Sequence, residues 1–181
     1  MNVKGSLLKF FVMNVRANKT GVYDSILTED EKKFVSQRIL DVGWYPLEYY
    51  KKIFTAIAKV EVNGNAEKVE EWGYEFANKT IGRIYSRTKK KRSLNHAIKS
   101  YQSLIKLWFD FGYLTEEIIS ENEFNLVFDG EQPDFDLHYY IGMGWIRSFF
   151  EAYLDTKIST KFLKKSWEGD EKTIINLTWN S

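Results

Sequence analysis

The period of the apolar residues changes along the chain, and this change most constrains the fold. Up to about residue 108, apolar side chains recur every three or four positions, as is typical of amphipathic helices. Two later segments alternate apolar and polar residues, which favours strands, and a helical pattern at residues 135–153 separates them. We therefore predict an α+β fold, in which N-terminal helices and one late helix pack on a small twisted antiparallel sheet of about four strands.

The chain ends in a predicted hairpin that is bracketed by two tryptophans. Its strands are expected at residues 158–167 and 173–179, and a polar turn at residues 168–171 joins them. Every second side chain of the last strand is expected to point inward and to close the sheet on the helices: Thr173, Ile175, Leu177 and Trp179. This interpretation gives the hairpin a structural role.

Local signals in the N-terminal half predict where helices begin. Thr28 and Glu31 have the spacing of a capping box, in which each side chain accepts a hydrogen bond from the other residue's backbone. Pro46 suits the first turn of a further helix, so the W-Y-P sequence at residues 44–46 is expected to enter that helix while packing on the core. A long helix is predicted over residues 66–85. On it, Gly73 and Ala77 lie one turn apart, which would allow a neighbouring helix to approach closely.

Composition bounds the class of protein. The chain has 181 residues, so we expect one domain over residues 1–181, large enough for its own core. Aromatic residues make up 17% of the chain, and they bury large areas. A thick aromatic core, a lined cavity and an interface would each account for this share.

Several functional classes are disfavoured. The net charge of +1 argues against a nucleic-acid or anionic-membrane footprint, and the lack of cysteine excludes disulfides and thiolate metal sites. No secretory signal is recognised, and no apolar run approaches the 18 or so residues of a membrane span. We therefore expect a cytoplasmic protein without metal or cofactor. No nucleophile elbow, phosphate loop or metalloprotease motif is found, so we do not expect an enzyme.

Five co-linear motifs give the chain a family resemblance. They are V-K-G-S at residues 3–6, W-Y-P at 44–46, F-D-F-G at 109–112, I-G-M-G-W at 141–145, and G-D at 169–170 with Trp179. The set resembles a bacterial family of unknown function, best known as a paralogous set in myxobacteria and related to the 4-vinyl reductase domain. The resemblance implies the fold shared by haem-nitric-oxide-binding domains and Golgi transport complex small subunits, with a hydrophobic pocket between helices and sheet.

Two departures from this pattern limit what the resemblance implies. Relatives often carry two cysteines around the G-D turn, where this chain has Lys165 and Thr173, so a metal or redox role is not expected here. Haem-binding members use a ligating histidine with Y-x-S-x-R downstream. Here the nearest sequence, at residues 85–87, has the wrong spacing and precedes His96, so haem is not expected.

The candidate ligand pocket consists of aromatic residues at core spacing and one arginine. Its members are Trp44, Tyr45, Trp72, Phe76, Tyr101, Trp108, Trp145 and Arg147. A filled core is the plainer interpretation of the aromatic residues. A solvated pair with Glu151 is the plainer interpretation of Arg147, which would anchor an anionic head group if it pointed inward. The basic run at residues 87–92 is best interpreted as a linker or a solvated helix start.

Two non-catalytic functions remain open from the sequence, and an enzyme with dispersed catalytic residues is a third, less favoured alternative. The first is a non-catalytic sensor or regulatory domain that binds a small hydrophobic or amphipathic molecule between helices and sheet. The second is a ligand-free homodimer or adaptor that uses a helix face, and it is motivated by Gly73 and Ala77.

Overall fold

A four-stranded antiparallel sheet follows the N-terminal helices and is interrupted by one late helix, as predicted, which confirms the α+β class. The structure is a computed structural model that describes residues 1–85, 93–130 and 134–180, so the basic run at 87–92 lies outside the described residues. The elements, in chain order, are β1 (Asn2–Lys4), α1 (Gly5–Ala17), α2 (Glu29–Ser36), β2 (Trp44–Pro46), α3 (Leu47–Val62), α4 (Ala66–Tyr85), α5 (Leu94–Trp108), β3 (Tyr113–Ser120), β4 (Glu123–Asp129), α6 (Asp136–Leu154), β5 (Ser159–Lys164) and β6 (Thr173–Thr178).

The backbone divides into two compact units. The first unit comprises Met1–Asn65 together with Lys106–Phe111, and the second comprises Ala66–Ile105 together with Gly112–Ser181. Helix α5 belongs mainly to the second unit, and its last residues belong to the first. The expectation of one domain over residues 1–181 stays a prediction.

The first unit is built from α1, α2, α3 and a small two-stranded sheet. Strands β1 and β2 are antiparallel, with Val3 opposite Tyr45, and Val3 also forms a bridge with Phe109. The W-Y-P sequence leads into α3 as expected, but it does so as a strand, and Trp44 is 44% exposed instead of packing on the core. Pro46 occupies the N-cap of α3, one position before the predicted first turn.

Helix α2 begins with the predicted capping box. The Thr28 hydroxyl accepts a hydrogen bond from the Glu31 backbone, while the Glu31 carboxylate accepts one of 2.8 Å from the Thr28 N–H. Glu31 is buried and also pairs with Lys52 at 3.3 Å. The box therefore fixes both the start of α2 and its link to α3.

Replacing Thr28 tests this cap. We expect Thr28→Ala to lower the free energy of unfolding by about 1 kcal/mol, because one backbone donor of the first turn loses its acceptor. Urea unfolding monitored by circular dichroism measures the change. Thr28→Ser keeps the hydroxyl and should lose less than half as much, and equal losses would show that the hydroxyl is not the stabilising group.

The second unit contains a four-stranded sheet in the order β3-β4-β6-β5, with every neighbouring pair antiparallel. Thr173, Ile175 and Leu177 are at most 1% exposed, which confirms that this face of β6 points inward. Trp179, the fourth residue of the prediction, lies beyond the end of β6 and is only half-buried, with its ring centroid 6.0 Å from that of Phe124. The strand before the turn ends at Lys164, earlier than predicted, and Trp167 lies in a 3-10 turn. There Trp167 stacks on Tyr139 of α6 at 4.9 Å, so the turn is held against the late helix.

Helix α6 is the central helix of the second unit. Its Phe150 contacts Phe124 of β4 at 5.1 Å, which places α6 on the inner face of the sheet. Helix α5 packs on α6 through Tyr101, whose ring centroid lies 5.2 Å from that of Phe149. Helix α4 approaches α6 at two glycines: a Cβ on Gly73 would lie 2.0 Å from the Ile141 carbonyl oxygen, and one on Gly144 would lie 1.9 Å from that of Glu70.

Candidate functional site

The predicted pocket residues do not all belong to one compact unit. Tyr101, on α5, belongs to the second unit, as do Trp72, Phe76, Trp145 and Arg147, whereas Trp44, Tyr45 and Trp108 belong to the first. The three residues of the first unit and the five of the second are therefore described separately, and the shared pocket stays a prediction.

In the first unit, the W-Y-P side chains have structural partners. The ammonium group of Lys4 lies 4.3 Å from the ring centroid of Trp44. The Tyr45 hydroxyl accepts a hydrogen bond of 2.8 Å from the Leu40 N–H, and its ring meets Phe34 edge-on at 6.0 Å. Trp108 is half-buried at the end of α5. These contacts brace the segment before α3.

In the second unit, the predicted aromatic residues lie on α4, α5 and α6, and we call Trp72, Phe76, Tyr101 and Trp145 the aromatic layer. Phe76 of α4 meets Trp145 of α6 edge-on, with ring centroids 6.1 Å apart. Tyr101 is 2% exposed and contacts both Phe149 and Phe150. Trp72 and Phe76 are only half-buried, so the layer reaches the surface along α4. Such a layer offers apolar contact and the polar edges of Tyr and Trp.

Arg147 does not pair with Glu151, so the predicted i,i+4 pair is wrong. One of its guanidinium nitrogens lies 3.0 Å from Glu70 on α4, and the guanidinium lies 4.8 Å from the Tyr74 ring centroid. The close approach of α4 and α6 supplies both partners, and neither is near Arg147 in sequence. Burial raises the pKa of Glu70, and the positive charge of Arg147 offsets this only in part. An anionic ligand at Arg147 would therefore compete with Glu70.

Glu151 instead receives three hydrogen bonds, which spacing along one helix could not reveal. Tyr74 donates to it at 2.7 Å, Lys157 at 2.9 Å, and the backbone N–H of Ile158 at 3.2 Å. Burial alone would raise the pKa of Glu151. The donated hydrogen bonds outweigh burial, so its pKa lies below the usual value. This carboxylate links α4, α6 and the start of β5.

The lowered pKa of Glu151 predicts how stability depends on pH. Because its folded-state pKa is depressed, its contribution is fully present above the unfolded value of about 4.3 and is lost as pH falls through the folded pKa. We expect Glu151→Gln to lower the free energy of unfolding by about 1–2 kcal/mol at pH 7. The gap between variant and parent should narrow as the pH falls below about 4.3 and close once Glu151 is protonated in the folded state, as measured by urea unfolding at each pH. A gap independent of pH would contradict the assignment.

The Gly73 and Ala77 face that motivated the homodimer is already used within the chain. Gly73 lies against the backbone of α6, and Ala77 is fully buried. The close-packing surface predicted from the sequence is therefore present, and its partner is a helix of the same unit. This observation removes the sequence feature on which the dimer hypothesis depended.

The two histidines are both at helix starts in the second unit. His96 lies in the first turn of α5, is exposed, and its backbone N–H donates to the Ser93 hydroxyl at 3.3 Å. His138 is half-buried in the first turn of α6 and stacks on Phe135 at 5.6 Å. Among residues 1–85, 93–130 and 134–180, no group of three His, Asp or Glu side chains could hold a metal ion.

Comparison with known proteins identifies the architecture. No family model matches the chain, and no curated protein matches its sequence. Solved structures do match: an H-NOX protein from S. oneidensis in the Fe(II)NO ligation state has a TM-score of 0.68 at 13% identity, over 98% of this chain and 99% of that one. A mutant of an Fe(II) unliganded H-NOX protein from K. algicida gives 0.66 at 13% identity, over 98% and 97%. A T. tengcongensis H-NOX mutant gives 0.63 at 13% identity, over 98% of both chains.

The chain has the fold of an H-NOX domain. The agreement confirms the haem-nitric-oxide-binding fold that the sequence resemblance implied. The narrower relation to the 4-vinyl reductase family gains no support from these matches and stays a prediction. Within the described part of the chain, every helix is too short or too polar to cross a membrane.

The residues present do not fit the haem of the H-NOX family. A member of that family has been studied for the distortion of its heme, so the fold implies this group. His96 is exposed, and neither histidine is followed by Y-x-S-x-R anywhere in the sequence. The sequence at residues 85–87, rejected earlier for its spacing, lies in a stretch whose side chains are outside the described residues. No step of the proposed function therefore uses haem.

Proposed function

We propose that this chain is a non-catalytic sensor or regulatory domain of the cytoplasm that binds a small hydrophobic or amphipathic molecule between helices and sheet. One observation carries the proposal: the chain matches H-NOX domains over 98% of its length and up to 99% of theirs. One of those structures, that of the S. oneidensis protein, is described in the Fe(II)NO ligation state, so the architecture accommodates a ligand in that protein. The present chain keeps the architecture without residues that suit haem.

The composition of the second unit supports an apolar ligand. Phe76 and Trp145 meet where α4 contacts α6, and Tyr101 lies where α5 contacts α6. Trp72 is half-buried one turn before Phe76 on α4. Ligand sites of small molecules are mostly apolar and aromatic, with few polar groups that set orientation. Among the predicted pocket residues, Arg147 is the charged group that could orient a ligand. Its ion pair with Glu70 would first have to break.

Native mass spectrometry beside the denatured mass tests the proposal. Extra mass that is lost on denaturation, with no haem absorption near 400 nm in the purified protein, is the expected result. A haem spectrum would overturn the haem-free part of the proposal. A bare monomer that gains no mass from a hydrophobic extract of the expression host would overturn the ligand-binding part.

A matched pair of variants locates the ligand. Phe76→Leu removes an aromatic ring from the layer of the second unit and should weaken ligand retention by about tenfold, which corresponds to roughly 1.4 kcal/mol. Phe10→Leu removes a ring that is 43% exposed in the first unit and should leave retention unchanged. Equal retention by both variants would argue against the layer as the site.

The same spectrum tests the homodimeric or adaptor module. A ligand-free dimer would favour it. Since Gly73 and Ala77 pack within the chain, such a dimer would have to use another surface.

A further inference from the structure

A cleft in the first unit is separate from the aromatic layer. Its volume is about 350 Å³, and its walls come from the last turn of α1, the loop after it, the 3-10 turn Val22–Ser25 and the second half of α2. A volume of this size lies within the range of small-molecule sites, roughly 300–1,000 Å³, and equals about twelve waters of bulk liquid. Every residue that lines it belongs to Met1–Asn65.

The lining of the cleft is apolar at its base. The apolar lining residues are Val15, Tyr23, Leu27 and Val35. Each is only 4–7% exposed, so they are core residues of the unit that also border the cleft. The Tyr23 hydroxyl is turned to Glu61 at 3.1 Å, and burial, with this hydrogen bond, raises its pKa to about 12. Tyr23 therefore stays neutral and contributes its ring to the apolar base.

The remaining lining carries more positive than negative charge. Arg16, Lys19 and Lys32 line the cleft with a single carboxylate, Asp24. Arg16 is fixed by hydrogen bonds from its guanidinium to the carbonyl oxygens of Val35, at 2.6 Å, and Gln37.

The ammonium groups of the two lysines are held less firmly than the Arg16 guanidinium. The Lys19 ammonium donates to the Arg16 carbonyl oxygen at 3.1 Å, and Lys32 pairs with the highly exposed Glu29 at 2.8 Å. Asp24 also acts on Lys32. A ligand carboxylate would therefore have to compete with Glu29 and Asp24 for Lys32, and with the Arg16 carbonyl oxygen for Lys19.

We propose that this cleft binds a small amphipathic anion, with its apolar chain on the Val15, Leu27 and Val35 surface and its carboxylate near Lys19 and Lys32. Apolar and cationic surfaces in one cavity suit a molecule that carries both features, such as a medium-chain carboxylate. This second site does not depend on the proposed function, because the aromatic layer belongs to the other unit.

Octanoate is the probe for the test, with octanol and acetate as partial mimics. In ¹⁵N-resolved NMR titrations, octanoate should shift the amide signals of cleft residues such as Gly21 and Tyr23 saturably, with a Kd below about 1 mM. Octanol lacks the charge and should bind about fivefold more weakly. Acetate lacks the chain and should not saturate in the same range.

Two variants and one control assign the contacts. Lys19→Gln should weaken the affinity for octanoate about fivefold and leave the affinity for octanol unchanged. Lys9→Gln removes a cation of α1 that pairs with Asp41, and it should change neither affinity. Ser36→Phe places a ring at the exposed wall of the cleft and should abolish binding of both, with the amide signals of first-unit residues outside the cleft reporting that this unit remains folded.

Three results would overturn the proposal. They are the absence of saturation with octanoate, equal affinity for octanoate and octanol, and saturable shifts confined to residues outside the cleft. Because the readout is resolved by residue, binding at the aromatic layer of the second unit would be seen as such and would not count as support.

Discussion

Gly144→Ala should lower the free energy of unfolding by about 2–3 kcal/mol. An added Cβ would lie 1.9 Å from the Glu70 carbonyl oxygen and 2.7 Å from the Tyr74 backbone nitrogen, and both atoms belong to the backbone of α4. Neither can move without shifting the helix, and overpacking of this kind typically costs about 1–3 kcal/mol. Alanine also gains up to about 1 kcal/mol in helix propensity, so the loss through contact must exceed that gain.

The control for this variant lies two residues away on the same helix. A Cβ on Gly142 would meet no atom within 4 Å, so Gly142→Ala should raise the free energy of unfolding by about 0.5–1 kcal/mol. Urea unfolding of both proteins, followed by far-UV circular dichroism, measures the difference in sign. If Gly144→Ala were as stable as Gly142→Ala, α4 and α6 would not approach as closely as described.

Phe54→Ala should lower the free energy of unfolding by about 3–5 kcal/mol, the usual cost of emptying a buried phenylalanine site. Phe54 is fully buried on α3 and touches Phe11 edge-on at 5.3 Å, while Tyr50 stacks on it at 5.9 Å. Its neighbours come from α1 and from the preceding turn of α3. They are held by their own helices and cannot collapse freely into the space.

Phe10→Ala removes the same ring from the same unit at a position that is 43% exposed. It should cost less than about 1 kcal/mol, as is usual for surface substitutions. Thermal unfolding of both variants, monitored by the near-UV circular dichroism of the packed aromatic rings, measures the two losses in stability. A loss for Phe54→Ala that matched that of Phe10→Ala would contradict the assignment of Phe54 to the core of the first unit.

The parts of the fold that depend on local signals were predictable. The Thr28 cap, the late helix and the inward face of β6 each follow from spacing within a few residues, and the structure confirms them. Strands β1 and β2 were missed because each has three residues, too few to show alternation. Their pairing of Val3 with Tyr45 joins distant segments, and no local pattern encodes it.

The charged contacts of the candidate site were less predictable than its aromatic layer. Residues at core spacing on α4, α5 and α6 do meet within the second unit, as Phe76 and Trp145 show. The partner of Arg147 was predicted wrongly, because a helical spacing rule offers only Glu151 and cannot anticipate Glu70 on another helix. Gly73 was predicted as a close-packing position, but the sequence did not indicate whether its partner was this chain or a second copy, and the matching role of Gly144 was not predicted.

The first unit is discontinuous in sequence, and this has a consequence for its synthesis. Its β1 strand bridges to Phe109, the Asn2 side chain donates to Asp110 at 2.7 Å, and the Tyr50 ring meets that of Phe109 at 6.2 Å. When residue 65 has emerged from the ribosome, the segment Lys106–Phe111 of the first unit has therefore not yet been synthesised. The N-terminal helices must wait for most of α4 and α5 to emerge before their last contacts close. Folding of this chain during translation is thus expected to proceed with both units incomplete for much of synthesis, not one after the other.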